Sequence, residues 1–112
     1  MLSSRYLTEN DLGDFGFKAI GSDVQISADA RVYGAGNISL GSHIRIDDFC
    51  TLVAAQGSIM VGDYVSIMRG CHLSGVNGIE LEPFAHLAGN VLVYSASDDL
   101  SGHSLTTSTV PR

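Results

Sequence analysis

Four histidines carry most of the reactive chemistry available to this chain: His43, His72, His86 and His103. Imidazole changes charge near neutral pH, so each is a candidate for general acid–base work on a hydroxyl or an amine. His103 follows Asp98 and Asp99, and a His–carboxylate pair there would orient the ring. Its competing reading is a polar terminal segment with no such role. Asp47 and Asp48 form an adjacent acidic pair that could meet a sugar hydroxyl or a cation, although neighbouring acids on a solvated corner are more often plain surface. Cys50 and Cys71 are the only thiols. Their separation is not a metal-ligand spacing, and no three histidines fall together as a zinc site would need, so no metal is expected.

The spacing of apolar residues says what must hold these groups. Ile20, Leu40, Val61 and Leu81 recur about every twenty residues, and each opens a run of hexads. The first run reads Ile20-Gly-Ser-Asp-Val-Gln, Ile26-Ser-Ala-Asp-Ala-Arg, Val32-Tyr-Gly-Ala. Three hexads close one triangular coil, and the next coil stacks on it with parallel strands about 4.8 Å apart. Three columns then point inward: Ile20/Leu40/Val61/Leu81, Ile26/Ile46/Ile67/Leu87 and Val32/Leu52/Leu73/Val93. Two corner columns of smaller apolar residues accompany them, Val24/Ile44/Val65/Ala85 and Ala30/Cys50/Cys71/Val91. Between coils, short inserts carry a Gly and then Ile38, Ile59 or Ile79, which should seal the third face. A β-sandwich would instead need strict period-two alternation and would not repeat these columns.

The columns assign faces to the candidate residues. His72 stacks with Arg31, Thr51 and Leu92, and His86 with Gln25, Arg45 and Ser66. Both should point outward, on different faces, as exposed or interface residues or as a base facing a substrate. His43 lies at a corner and reads as structural. Asn90 also lies at a corner, where a left-handed turn outweighs a substrate contact. Cys50 and Cys71 share an inward column, so two buried thiols are expected rather than a disulfide.

The ends differ from the middle. Residues 1–19 precede the repeat. Thr8 is a candidate N-cap with Glu9 and Asp11 behind it, and Gly16 a candidate stop, so a short helix should cap the prism with Leu7, Leu12, Phe15 and Phe17. Residues 20–96 form the repeat, in about four coils. Residues 97–112 form a Ser/Thr-rich loop or tail. One domain is expected from 112 residues. The net charge of −6, with Lys18 the only lysine, disfavours a nucleic-acid partner. No apolar run approaches the roughly 20 residues of a membrane span, and the polar N-terminus shows no secretory signal. A cytoplasmic location is the default expectation.

These hexads resemble the hexapeptide-repeat acyltransferases. The string Leu87-Ala-Gly-Asn-Val-Leu-Val-Tyr-Ser-Ala-Ser-Asp-Asp-Leu-Ser-Gly is similar to a coil and active-site loop of their sugar O- and N-acetyltransferase branch. Arg45-Ile-Asp-Asp-Phe-Cys and Gly-Phe-Lys-Ala-Ile-Gly at 16–21 point to the same branch, which serves surface-polysaccharide and nucleotide-sugar biosynthesis. The resemblance implies an all-β fold, the left-handed parallel β-helix. It implies a homotrimer with acetyl-CoA as co-substrate in a groove between prisms, and a sugar or nucleotide-sugar acceptor. A histidine would be the base, which places His72, His86 and His103 as catalytic candidates. Asp98 stands where galactoside-type relatives carry a loop histidine, and joins them. Asn90 and Tyr94 become candidate substrate contacts. Relatives resume further coils after a Val-Pro like Val110-Pro111, so the chain is expected to be a C-terminally shortened member. Two functions follow: an acetyl-CoA-dependent sugar acetyltransferase, or a catalytically inactive β-helical oligomer.

Overall fold

The structure is a computed structural model and describes residues 5–95. Twelve short strands wind into three parallel sheets of four. The first face is built from β1 (Ala19–Ile20), β4 (Ile38–Leu40), β7 (Ile59–Val61) and β10 (Ile79–Leu81). The second holds β2 (Val24–Ile26), β5 (Ile44–Ile46), β8 (Ser66–Ile67) and β11 (His86–Leu87). The third holds β3 (Arg31–Tyr33), β6 (Thr51–Val53), β9 (His72–Gly75) and β12 (Leu92–Ser95). Each strand therefore pairs with its equivalent one coil away, never with its sequence neighbour. This is the parallel β-solenoid of about four coils, with one short helix, that the hexads predict.

The register repeats the sequence columns. Ile20 pairs Leu40, Ile46 pairs Ile67, and Leu73 pairs Val93. The aliphatics at these positions are buried, as are Ile38, Ile59 and Ile79 from the inserts. Val32 is half-buried, and Ile20 is the larger exception at 40% exposed. It lies in the first coil, where no further coil stacks above it. The corners explain how such short strands can turn so tightly. Asp23, His43, Phe49, Tyr64, Phe84 and Asn90 all have φ between 58° and 69°, the left-handed region that redirects the chain within a residue or two.

The helix α1 (Glu9–Phe15) begins at Thr8 with a reciprocal capping box to Asp11 and ends at Gly16 with φ 78°. Leu12 is buried, and Leu7 and Phe17 pack against the core beside it. Phe15 stays 40% exposed and contributes only an edge contact to Phe17. Ahead of the helix, the Leu7 N–H donates to Ile26 O at 2.8 Å, so the lead-in chain also covers the edge of β2.

Candidate functional site

The turns 27–30, 47–50, 68–71 and 88–91 join the second face to the third, and the candidate residues gather around this corner. His72 opens β9 just after the turn 68–71. It is exposed on the third face, in register with Thr51 and Leu92. His86 opens β11 on the second face, exposed and in register with Ser66. The two histidines thus stand on different faces and in successive coils, one on each side of this corner. Ser74 follows His72 by two residues and so faces the same side. It is half-buried and in register with Tyr94, which is 47% exposed. Leu92 beside them is 56% exposed.

Asn90 turns the corner in the left-handed conformation with φ 61°. Its N–H donates to Arg69 O at 3.0 Å, and its side-chain oxygen fills the space where a Cβ on Gly70 would lie. That contact gives Asn90 a turn role and fixes Gly70 as glycine. Asp98 and His103 lie outside the described residues.

The same corner carries charge in fixed places. Asp47 and Asp48, read from sequence as a solvated surface pair, are half-buried and engaged. Asp47 accepts from the Tyr6 hydroxyl at 3.2 Å and from Arg45 Nε at 3.0 Å. Asp48 accepts from Ser27 Oγ at 2.6 Å. Their work is to tie the N-terminal lead and the first coil to the second. The Asp47 carboxylate, by hydrogen bond and charge, raises the already high pKa of the Arg45 guanidinium. Arg69 lies over the Phe49 ring, 5.8 Å from its centroid, a pair separated by a full coil that no local motif announces.

His43 sits on the opposite corner, between the first and second faces. Its Nδ1 is 2.8 Å from Asp23 Oδ2, and its ring stacks on Tyr64, which stacks on Phe84. This is the structural role expected of it. Cys50 and Cys71 are free and fully buried. Among the described residues, no group of three or more His, Cys, Asp or Glu is placed to hold a metal ion, and no helix is long and apolar enough to cross a membrane.

An exposed corner with two imidazoles, a hydroxyl, a tyrosine and a guanidinium can take a proton from a nucleophile and meet an anion. Proteins of similar sequence and fold are known as acyltransferases. An Escherichia coli dTDP-4-amino-4,6-dideoxy-D-glucose acyltransferase is 37% identical over 106 residues, covering 95% of this chain and 55% of its own length. Crystal structures of AntD, an N-acyltransferase from Bacillus cereus, superpose closely. The complex with dTDP and 3-hydroxybutyryl-CoA gives a TM-score of 0.79 at 37% identity, over 97% of this chain and 57% of that one. A point mutant bound to dTDP-4-amino-4,6-dideoxyglucose and coenzyme A gives 0.78 at 37% identity, over 98% and 58%. This chain therefore spans little more than half the length of these relatives. No family model matches it.

Proposed function

We propose, from this chain's place among the hexapeptide-repeat sugar acyltransferases, that it serves an acyl-CoA-dependent N-acyltransferase acting on the amino group of a nucleotide-linked amino sugar. The observation that carries this reading is 37% identity, over nearly the whole chain, with a dTDP-4-amino-4,6-dideoxy-D-glucose acyltransferase and with an N-acyltransferase of the same fold crystallised with dTDP and 3-hydroxybutyryl-CoA. In that reaction the amine nitrogen attacks the thioester carbonyl carbon and an oxyanion forms. The nitrogen gives up a proton to a base, the C–S bond breaks, and the departing CoA thiolate takes up that proton to leave as the thiol. His72 and His86 are the described side chains whose type and exposure suit that base, with Asp98 and His103 as further candidates by type. Tyr94 and Leu92, exposed beside His72, offer an apolar and hydroxyl-bearing wall for the acceptor sugar. Acetyl is the acyl group we assign first. A homotrimer would bring a neighbouring prism against the corner and complete a CoA groove. Surface-polysaccharide biosynthesis in the cytoplasm is the setting this chemistry fits.

The test is turnover. The purified protein is mixed with dTDP-4-amino-4,6-dideoxyglucose and either acetyl-CoA or 3-hydroxybutyryl-CoA, and released CoA thiol is followed with a disulfide reagent. Thiol release that requires the amino sugar is the expected result. Neither release nor calorimetric binding of CoA at millimolar concentration would sink the reading and leave a β-helical structural module.

A further inference from the structure

Phe49 holds an unusual position. It turns the corner between the second and third faces at φ 63°, a region in which a bulky side chain is uncommon. In the next two coils the same corner is turned by Gly70 and Asn90, residue types that suit it. The other left-handed rings, His43, Tyr64 and Phe84, stack on one another along the opposite corner. Phe49 has no ring beside it among the described residues. The Arg69 guanidinium lies over it instead, and the ring remains 59% exposed.

Phe49 is also one wall of a groove of about 460 Å³ whose other walls are Ala28, Asp29, Ala30 and Arg31. The aromatic ring therefore stands between Arg31, one coil towards the N-terminal end, and Arg69, one coil the other way. Neither arginine is paired with a carboxylate among the described residues, whereas Arg45 on the second face is held by Asp47. An exposed π-face suits a planar heterocycle. Unpaired guanidiniums suit phosphate oxygens, which they bind in a forked geometry. Asp29 can accept from a base N–H. The groove lies on the first-coil side of the ring, Arg69 on the other side, and the two coils from Phe49 to Asn90 cover about 10 Å.

We propose that Phe49, with Arg31 and Arg69, forms a stacking platform and anion clamp for a nucleoside diphosphate. This assignment rests on the acyltransferase reading, and it names where that enzyme would hold the nucleotide portion of a substrate. Two substrates carry that chemistry: the nucleoside diphosphate of a nucleotide-sugar, and the adenosine diphosphate portion of coenzyme A.

The experiment separates them. The chain contains no tryptophan, so Phe49→Trp creates a single fluorophore at the platform. Titration with dTDP and, separately, with coenzyme A should quench it saturably with one of the two. Phe49→Asn keeps a residue suited to the left-handed turn while removing the ring. It should weaken that same ligand by roughly 10- to 100-fold in calorimetry, the usual range for losing one base stack, and leave the other unchanged. Arg69→Ala should weaken the same ligand and flatten its salt dependence. If the wild type binds dTDP or CoA and Phe49→Asn binds it equally well, the platform is refuted while the acyltransferase reading stands. Equal weakening of both ligands also counts against a single platform. A wild type that binds neither overturns the acyltransferase reading and the platform with it.

Discussion

Cys50 shows how much of a side chain's chemistry is set by which way it points. Its Sγ donates to Met68 O at 3.0 Å, and Cys71 Sγ repeats the contact one coil on, to Ala88 O at 3.0 Å. Burial pushes the Cys50 thiol up from 9.0 to about 11, because the thiolate would lose its water without gaining a counter-charge. The unfolded chain ionises first, so this stabilising contribution is complete below about pH 9 and is lost as pH rises through about 11. Melting temperature should fall across that interval, and fall less in Cys50→Ala. The folded protein should also resist thiol reagents at neutral pH until denatured, which keeps the background of the turnover assay low. For the outward histidines the expectation is a rate effect. Whichever of His72→Ala and His86→Ala removes the base should lower kcat by about 10²- to 10⁴-fold, and the other should leave it close to wild type. Unchanged kcat in both would move the base to Asp98 or His103. The inward role of Cys50 was legible in the sequence because its column repeats. The Arg69–Phe49 pair was not, since outward positions need not repeat and the two residues meet only once the coils are stacked.

Among elements, the turns constrain the chain more than the strands do. The Ser22 N–H donates to Ser42 Oγ at 3.0 Å, and the Ser42 N–H donates to Asp63 Oδ1 at 2.8 Å. Each corner thus supplies the acceptor for the coil before it, and the Gly-Ser and Gly-Asp pairs visible in the sequence are links of one ladder. Gly57 is more tightly held. A Cβ there would overlap the carbonyl oxygen of Gly75, and a Cβ on Gly75 would in turn overlap Ser58 O. Gly57→Ala must push the third-face turn away from its neighbour. It should cost about 2–3 kcal/mol in urea unfolding, at the upper end of ordinary substitutions. Helix α1 was legible from Thr8, Asp11 and Gly16 because capping chemistry is local. That Asp47 holds the lead-in chain and Asp48 the first coil was not legible, because Tyr6 and Ser27 reach them across 41 and 21 residues.

At the scale of the molecule, stability should be spread along the axis, since each coil touches only its neighbours. Leu52 is fully buried in the second coil, and Leu52→Ala should lower unfolding free energy by about 2–5 kcal/mol. That is a large fraction of the roughly 5–15 kcal/mol typical of a domain, and denaturant melts will read it directly. The solenoid itself was legible because nearly every inward column contains only apolar residues. Ile20 departs furthest from the pattern, and Val24, Ala30 and Val32 in the same coil and Ala85 and Val91 in the fourth are half-buried, where stacking runs out. The parallel register has one more consequence. Strands pair across offsets of twenty or twenty-one residues, as in Leu52 with Leu73 and Leu73 with Val93. A one-residue change inside a strand, not absorbed at a corner, turns the side chains after it to the wrong side of the sheet. Length in such a chain is quantised: evolution and engineering alike can add or remove full turns of the spiral, or extend a loop at a corner, but cannot alter a strand by a single residue and keep the structure that follows.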